Sequence, residues 1–376
     1  MKKIELSYSI GAAQSQRSPQ PALLRNPMLD VLHAVREHGS ISAAARQLGF
    51  SYRHVWGQLK AWELELGQEL IVWERGQSAR LSLFGQRLLQ AERLAQARLG
   101  PQLQHLRSEL ERAFALALQP LSQARASESI TLYASHDHAL TELQDLASGL
   151  DAGVPGGLQA LHLDIRFCGS VDAMRALNEG RCLLAGFHTQ PFAGAGSLSA
   201  RTYRALLKPG RHKIIGFARR TQGLIVAPGN PLRLTRLADV ARLRARFVNR
   251  AKGTGTRLLL DELLAQAGLV ASDIGGFDDV ESSHAAVAQA VASGAADVGL
   301  GAAYAARSQG LDFVALTDER YLLVCLQSAL ELAAVQQLLA LLRSPAWQQR
   351  LDSLPGYAAD HSGEVAAMKR LLPWWP

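Results

Sequence analysis

At four places in this 376-residue chain a strand-like run hands over to a helical one at a hydroxyl or a glycine. These are Ser135, Ser170, Thr254-Gly255-Thr256 and Ser283. Helix N-termini leave backbone N–H groups unpaired, and those donors, with hydroxyls beside them, favour anions. For any single Ser or Thr, ordinary helix capping is the simpler account. Four such junctions in succession point to a shared pocket. Arg257, just inside its helix, offers either a positive charge to that pocket or a salt bridge elsewhere, and His188 and His284 suit hydrogen bonding to a bound molecule. The expected ligand-binding set is Ser135, Ser170, His188, Thr254, Gly255, Thr256, Arg257, Ser283 and His284.

Other chemistry is less well supported. Gly253-Thr254-Gly255-Thr256 lacks the Lys-Ser/Thr ending of a P-loop. His136-Asp137-His138 sets two imidazoles two residues apart without a nearby Cys or Glu set, so no metal site is expected. Cys168 has no oriented base, and a buried inert thiol is the default. No catalytic constellation and no cofactor are expected.

The elements that must position these residues alternate. Residues 130–135, 163–167 and 182–187 read as strands, with helical patterns after the first two. A second set follows at 213–218, 224–227, 247–250, 276–281 and 296–301. Such alternation implies a mainly parallel sheet covered by helices, and ligands of open α/β sheets bind where strands end.

The first third is different. Residues 1–126 hold 16 Lys+Arg against 10 Asp+Glu, whereas the remainder holds 24 against 23. The basic excess lies where a polyanion would bind, if one binds, although a solvated basic face accounts for it equally well. Pro27 opens a helix with Leu29, Leu32 and Val35 on one face, ended by Gly39. A short helix follows from Ser40 and stops at Gly49, and Ser51 caps a third reaching about Leu66. Ala45 is small enough for the helix crossing, and Gly49 suits the turn. Val55, Leu59, Trp62 and Leu66 form the inward face of the third helix; Tyr52, Arg53, Trp56, Gly57 and Lys60 lie on the other. Residues 69–83 read as two short strands around a glycine-containing tip with Arg75 and Arg80, a wing able to reach a phosphate backbone. The expected DNA contacts are Ser51, Tyr52, Arg53, His54, Trp56, Lys60, Arg75 and Arg80.

From Phe84 to about Leu118 leucines recur at helical spacing, with Pro101 placed to kink or split the helix. A striped helix of this length beside a DNA-binding module is read as a dimerisation helix, with packing onto its own domain as the alternative. Residues 119–128 read as a linker.

Composition sets the outer bounds. With 48% hydrophobic and 19% charged residues, the chain can bury two or three domain cores. Three widely spaced cysteines argue against a disulfide framework and suit a reducing cytoplasm. No apolar run follows Met1-Lys2-Lys3, so neither an export signal nor a membrane partner is expected.

The run Gly39-Ser40-Ile41-Ser42-Ala43-Ala44-Ala45, with Ser51-Tyr52, Trp56, Leu66-Gly67, Arg75-Gly76 and Phe84-Gly85, resembles the ModE/LysR-type winged helix-turn-helix. Asn249-Arg250, Gly253-Thr254-Gly255-Thr256-Arg257, Ser283-His284-Ala285-Ala286 and Ala296-Asp297-Val298-Gly299 resemble the periplasmic-binding-protein-like sensor found fused to such modules and to molybdopterin-biosynthesis proteins. The resemblance implies an α/β protein. It has an N-terminal α-rich winged helix-turn-helix over 1–83, a dimerisation helix over 84–118, and a two-lobed type 2 periplasmic-binding-protein-like fold over 129–376. Its two lobes would join through crossover strands near 215–225 and 315–326. It further implies a non-enzymatic, cytoplasmic homodimer or higher oligomer that binds a double-stranded DNA operator. The effector would be a small molecule or oxyanion: molybdate, tungstate, formate or a molybdenum-cofactor-related compound. The competing class is a cofactor-handling enzyme acting on a pterin-like compound, with the N-terminal region as an interaction module.

Overall fold

The computed structural model describes residues 26–72, 79–118, 129–148, 161–191 and 193–376. The N-terminal unit begins with α1 (Pro27–His38), α2 (Ile41–Gln47) and α3 (Tyr52–Leu66). Each starts on a side-chain cap: Asn26 accepts from Met28 N–H, Ser40 from Ala43 N–H and Ser51 from His54 N–H. Gly39 and Gly67 end α1 and α3 at φ 61° and 69°, where a side chain would be strained. Apolar residues spaced three and four apart turn inward, so Leu32, Val35, Ala44, Ala45, Val55 and Leu59 form one core. Each fully buried leucine or valine there contributes about 1.5–3 kcal/mol.

The short strands β1 (Ile71–Val72) and β2 (Arg80–Leu81) pair antiparallel against this core, as a wing does. The wing tip, including Arg75, lies outside the described residues. Next, α4 (Leu83–Leu118) runs unbroken through Pro101, so of the kink or split expected there the split does not occur. Phe84, Leu88 and Leu89 pack its first turns into the helix-turn-helix core, and His33 hydrogen-bonds Glu92 at 2.9 Å.

The C-terminal region opens with β3 (Ser129–Ala134), α5 (His138–Ala147), β4 (His162–Phe167), α6 (Ser170–Asn178), β5 (Leu184–Thr189) and α7 (Leu198–Tyr203). There follow β6 (His212–Val226), α8 (Leu237–Leu243), β7 (Phe247–Arg250), α9 (Gly255–Gln266), β8 (Val280–Glu281), α10 (His284–Ala292), β9 (Val298–Ala302) and α11 (Ala303–Arg307). The chain closes with β10 (Asp312–Leu326), α12 (Ala333–Arg343), α13 (Pro345–Asp352), β11 (Tyr357–Ala358), β12 (Val365–Ala366) and α14 (Met368–Leu371). The strand order is β4-β3-β5-β10-β6-β9-β7-β8.

Within each half the outer strands are parallel: β3 with β4 and β5, and β7 with β8 and β9. The strands β6 and β10 cross between the halves, pairing antiparallel from Asp312–Val226 to Leu326–His212. Residues 213–218 and 224–227, read as two strands, therefore form one 15-residue strand. Alternate side chains on these crossovers serve opposite faces, with Tyr321, Leu323 and Cys325 in one core and Leu322 and Val324 in the other. The first lobe is thus covered on both faces; the second has its own pair of cores, around Leu224 and Ile225.

Candidate ligand cleft and DNA-reading face

The strand ends of both lobes converge on a narrow cleft. Its floor is the middle of the crossover strands, where bulges fall between Ala315 and Thr317 and between Tyr321 and Leu322. Arg220 on β6 is 1% exposed, donates to Glu319 at 2.9 Å and pairs at close range with Asp137. Gln222 also donates to Glu319, and Tyr357 hydroxyl donates to Asp137 at 2.9 Å. Burial opposes the charge on Arg220, but Glu319 and Asp137 outweigh it and hold the guanidinium protonated.

Arg250, the last residue of β7, feels the charges of Asp137 and Glu319 but is bonded to no carboxylate among the described residues. It is 3% exposed, and its Nε has no hydrogen-bond partner among the described residues. Burial, then the charge of Arg220, lower its pKa to about 10, leaving it cationic at neutral pH. Three imidazoles lie around the two arginines. His188 lies tilted against Tyr321 with ring centroids 4.0 Å apart, and neither of its ring nitrogens has a hydrogen-bond partner among the described residues. Its Nδ1 lies 3.8 Å from Glu319, yet burial and both arginines push its pKa well down, so the contact is between a neutral ring and a carboxylate. Burial and Arg250 lower half-buried His136 to about 4, and His284 is likewise depressed.

His284 shows how hydroxyls are aimed. Ala302 N–H donates to its Nδ1 at 3.3 Å, so the neutral ring carries its proton on Nε2 and donates it to Thr256 Oγ1, 3.3 Å away. The Thr256 hydroxyl proton is then available to a ligand. On the opposite lobe the Ser135 and Ser170 hydroxyls lie 3.1 Å apart.

Glycines let the lobes meet. A Cβ on Gly255 would fall 2.7 Å from the His188 ring, and one on Gly169 would fall 2.8 Å from the Gly253 carbonyl. Gln190 of the first lobe donates to Glu262 on α9 at 3.3 Å. The structure is therefore a closed clamshell.

The structure thus brings together Ser135, Ser170, His188, Gly255, Thr256 and His284. Three expected ligand residues are engaged elsewhere. Thr254 caps α9 and donates to the Ala251 carbonyl. Arg257 bonds Asp261 at 3.2 Å and sits 4.0 Å over the Phe277 ring, so the second of the two roles open to it is realised. Ser283 caps α10 and donates to the Ala97 carbonyl of α4. Reading the sequence alone missed Arg220, Gln222 and Arg250 as cleft residues. The signal available was charge inside runs that are otherwise apolar. In His136-Asp137-His138, Asp137 caps α5 and pairs with Arg220, and His138 stacks on Tyr304. Among the described residues no three His, Cys, Asp or Glu are grouped to hold a metal ion.

On the N-terminal unit, Tyr52, Arg53 and His54 are exposed at the start of α3, and Trp56 is half-buried. Tyr52 stacks on Trp56, and Lys60 lies 4.7 Å over the Trp56 ring while bonding Glu63 at 2.7 Å. Glu63 also accepts from Leu70 and Ile71 N–H, which pins the wing to α3. Arg80 projects from the exposed side of β2. No described helix is long and apolar enough to cross a membrane.

A helix-turn-helix joined to a two-lobed binding domain is the class these features define. Residues 156–343, half of the chain, match the PBP superfamily domain, and residues 28–86 match the bacterial regulatory helix-turn-helix protein, lysR family. The chain belongs to the PBP superfamily and carries a LysR-family helix-turn-helix at its N-terminal end. It is 33% identical over 201 residues to the uncharacterized protein YvgK of Bacillus subtilis, covering 53% of this chain and 64% of that one, just under two thirds of its length. An uncharacterized protein in the ferredoxin 2Fe-2S gene 5' region of Clostridium pasteurianum is 30% identical over 109 residues, covering 29% of this chain and 96% of that one. Among solved structures, a hydrogen-peroxide-bound mutant of Corynebacterium glutamicum OxyR is 18% identical with a TM-score of 0.42, covering 85% of this chain and 90% of that one. That overall superposition is loose.

Proposed function

We propose that this protein is a cytoplasmic, dimeric transcriptional regulator whose cleft binds a small anion and whose α3 helix reads an operator. The LysR-family match over 28–86 supports a regulatory, non-catalytic role. Arg250 carries the ligand reading: a buried guanidinium without an ion-pair partner among the described residues is costly unless a ligand supplies the opposite charge. Around it, Thr256, the Ser135–Ser170 pair and the free nitrogens of His188 offer hydrogen bonds. Molybdate, tungstate, formate and molybdenum-cofactor-related anions fit this chemistry.

For DNA, Arg53, Tyr52 and His54 face outward at the N-terminal end of α3, the end that enters the major groove in helix-turn-helix proteins. Ser51, Trp56, Lys60, Arg75 and Arg80 complete the proposed surface. Leu99 and Leu106, seven residues apart on α4, are 40% and 50% exposed, which supports a helix-to-helix dimer seam.

The test is a thermal-shift screen of the full chain against molybdate, tungstate, sulfate, nitrate and formate. A ligand of the native state raises Tm by mass action. A selective shift that disappears in Arg250→Met supports the reading, and a flat response to every anion removes it.

A further inference from the structure

The long helix α4 meets the cleft domain at a joint created by its own proline. In a helix the carbonyl of Ala97 would accept from the N–H of residue 101, but Pro101 has none. The freed carbonyl is taken by Ser283, whose hydroxyl donates at 3.0 Å, and the next carbonyl, Arg98, receives Ser282 at 3.0 Å. Beside them Arg98 grips Glu281 through two nitrogens, at 2.5 and 3.0 Å. Gln90 reaches the Ser293 carbonyl at the far end of α10. Ser283 is the cap of α10, and the next residue, His284, hydrogen-bonds Thr256 in the cleft. One short segment, 281–284, thus holds α4 on one side and lines the cleft on the other.

We infer that the Arg98–Glu281 pair and the Ala97 carbonyl–Ser283 bond form a mechanical relay, by which opening and closing of the cleft repositions α4 and the helix-turn-helix built onto its start. Two independent contacts favour this. The first turns of α4 share the helix-turn-helix core, so the two move as one body. Further on, α4 packs against α10 of the second lobe and β4 of the first, touching both halves of the clamshell. The relay presupposes the regulator reading, but its test needs neither DNA nor ligand, so either can fail alone.

Coupling is reciprocal, so cutting the joint at α4 must be felt inside the cleft. The experiment is amide hydrogen exchange on full-length wild type, Arg98→Ala, Pro101→Ala and the charge-swapped double variant Arg98→Glu/Glu281→Arg. Arg98→Ala and Pro101→Ala are expected to speed exchange in 251–257, which α4 does not hydrogen-bond, by about tenfold or more. The swapped pair is expected to return most of the wild-type protection. Faster exchange confined to α4 and 281–284 overturns the relay. So does a uniform rise across both lobes that the swapped pair does not reverse.

Discussion

Arg220 and Arg250 are both buried at the base of the cleft, yet only Arg220 bonds the carboxylates of Asp137 and Glu319. The carboxylates that could serve Arg250 are already committed, and the charge of Arg220 lowers the pKa of Arg250 further. The protein therefore holds a buried guanidinium, bonded to no carboxylate among the described residues, where the two lobes close.

Arg250→Met should weaken anion binding without unfolding the chain. Hydrogen bonds to charged groups contribute about 1.5–3 kcal/mol, so affinity is expected to fall about 10- to 150-fold. Because the lost group is an unpaired buried charge, ligand-free Tm should hold steady or rise. Calorimetric titration with the best anion of the screen, alongside melting curves, checks both; a sharp loss of ligand-free stability would mean that Arg250 has a structural partner.

Gly255→Ala should keep the lobes apart. Its Cβ would lie 2.7 Å from the His188 ring, and overpacking of this kind costs about 1–3 kcal/mol. The cost falls on the closed state, so anion affinity drops while each lobe stays folded. Small-angle scattering should show a larger radius of gyration than wild type. An unchanged radius with unchanged affinity would show that His188 simply moves aside.

Acidification should destabilise the ligand-free protein through its histidines. His136 is lowered to about 4 from the ordinary 6.5, and His188 and His284 are lowered too. Below 6.5 the unfolded chain takes up protons that the folded cleft refuses, so stability falls with pH through the window from 6.5 down to about 4. Each histidine contributes at most about 1.4 kcal/mol per pH unit. Melting temperatures between pH 7 and 5 should fall less steeply in His188→Asn and His284→Asn. Parallel curves for wild type and variants would contradict this.

On the DNA side, Arg53→Ala should weaken operator binding more than Lys60→Ala. Arg53 is exposed, whereas Lys60 is already held by Glu63 and the Trp56 ring. Removing one phosphate contact should lower the salt slope by about 1. Fluorescence anisotropy across a salt series measures it, and a larger loss for Lys60→Ala would reverse the orientation assigned to α3.

Much of this is legible in the sequence because caps and periodicity are local. Ser51 caps the helix expected of it, and Thr254 and Ser283 take the capping role that is the simpler account of any single hydroxyl at such a junction. What escapes depends on distant partners. Arg219-Arg220-Thr221-Gln222 reads as a polar break between two strands, but Asp318 and Glu319 across the ladder satisfy it and make one strand. Arg257 reads as a candidate pocket cation, but Asp261 and Phe277 claim it, leaving that place to Arg250. Pro101 reads as a kink or split in α4, and the hydroxyl of Ser283, nearly two hundred residues away, takes the carbonyl it frees.

The most direct test of the central claim is selection from random duplex DNA with the full-length protein. The account predicts enrichment of a roughly palindromic motif with half-sites about one helical turn or a multiple apart, lost in Arg53→Ala. No sequence enriched above the starting pool would contradict it.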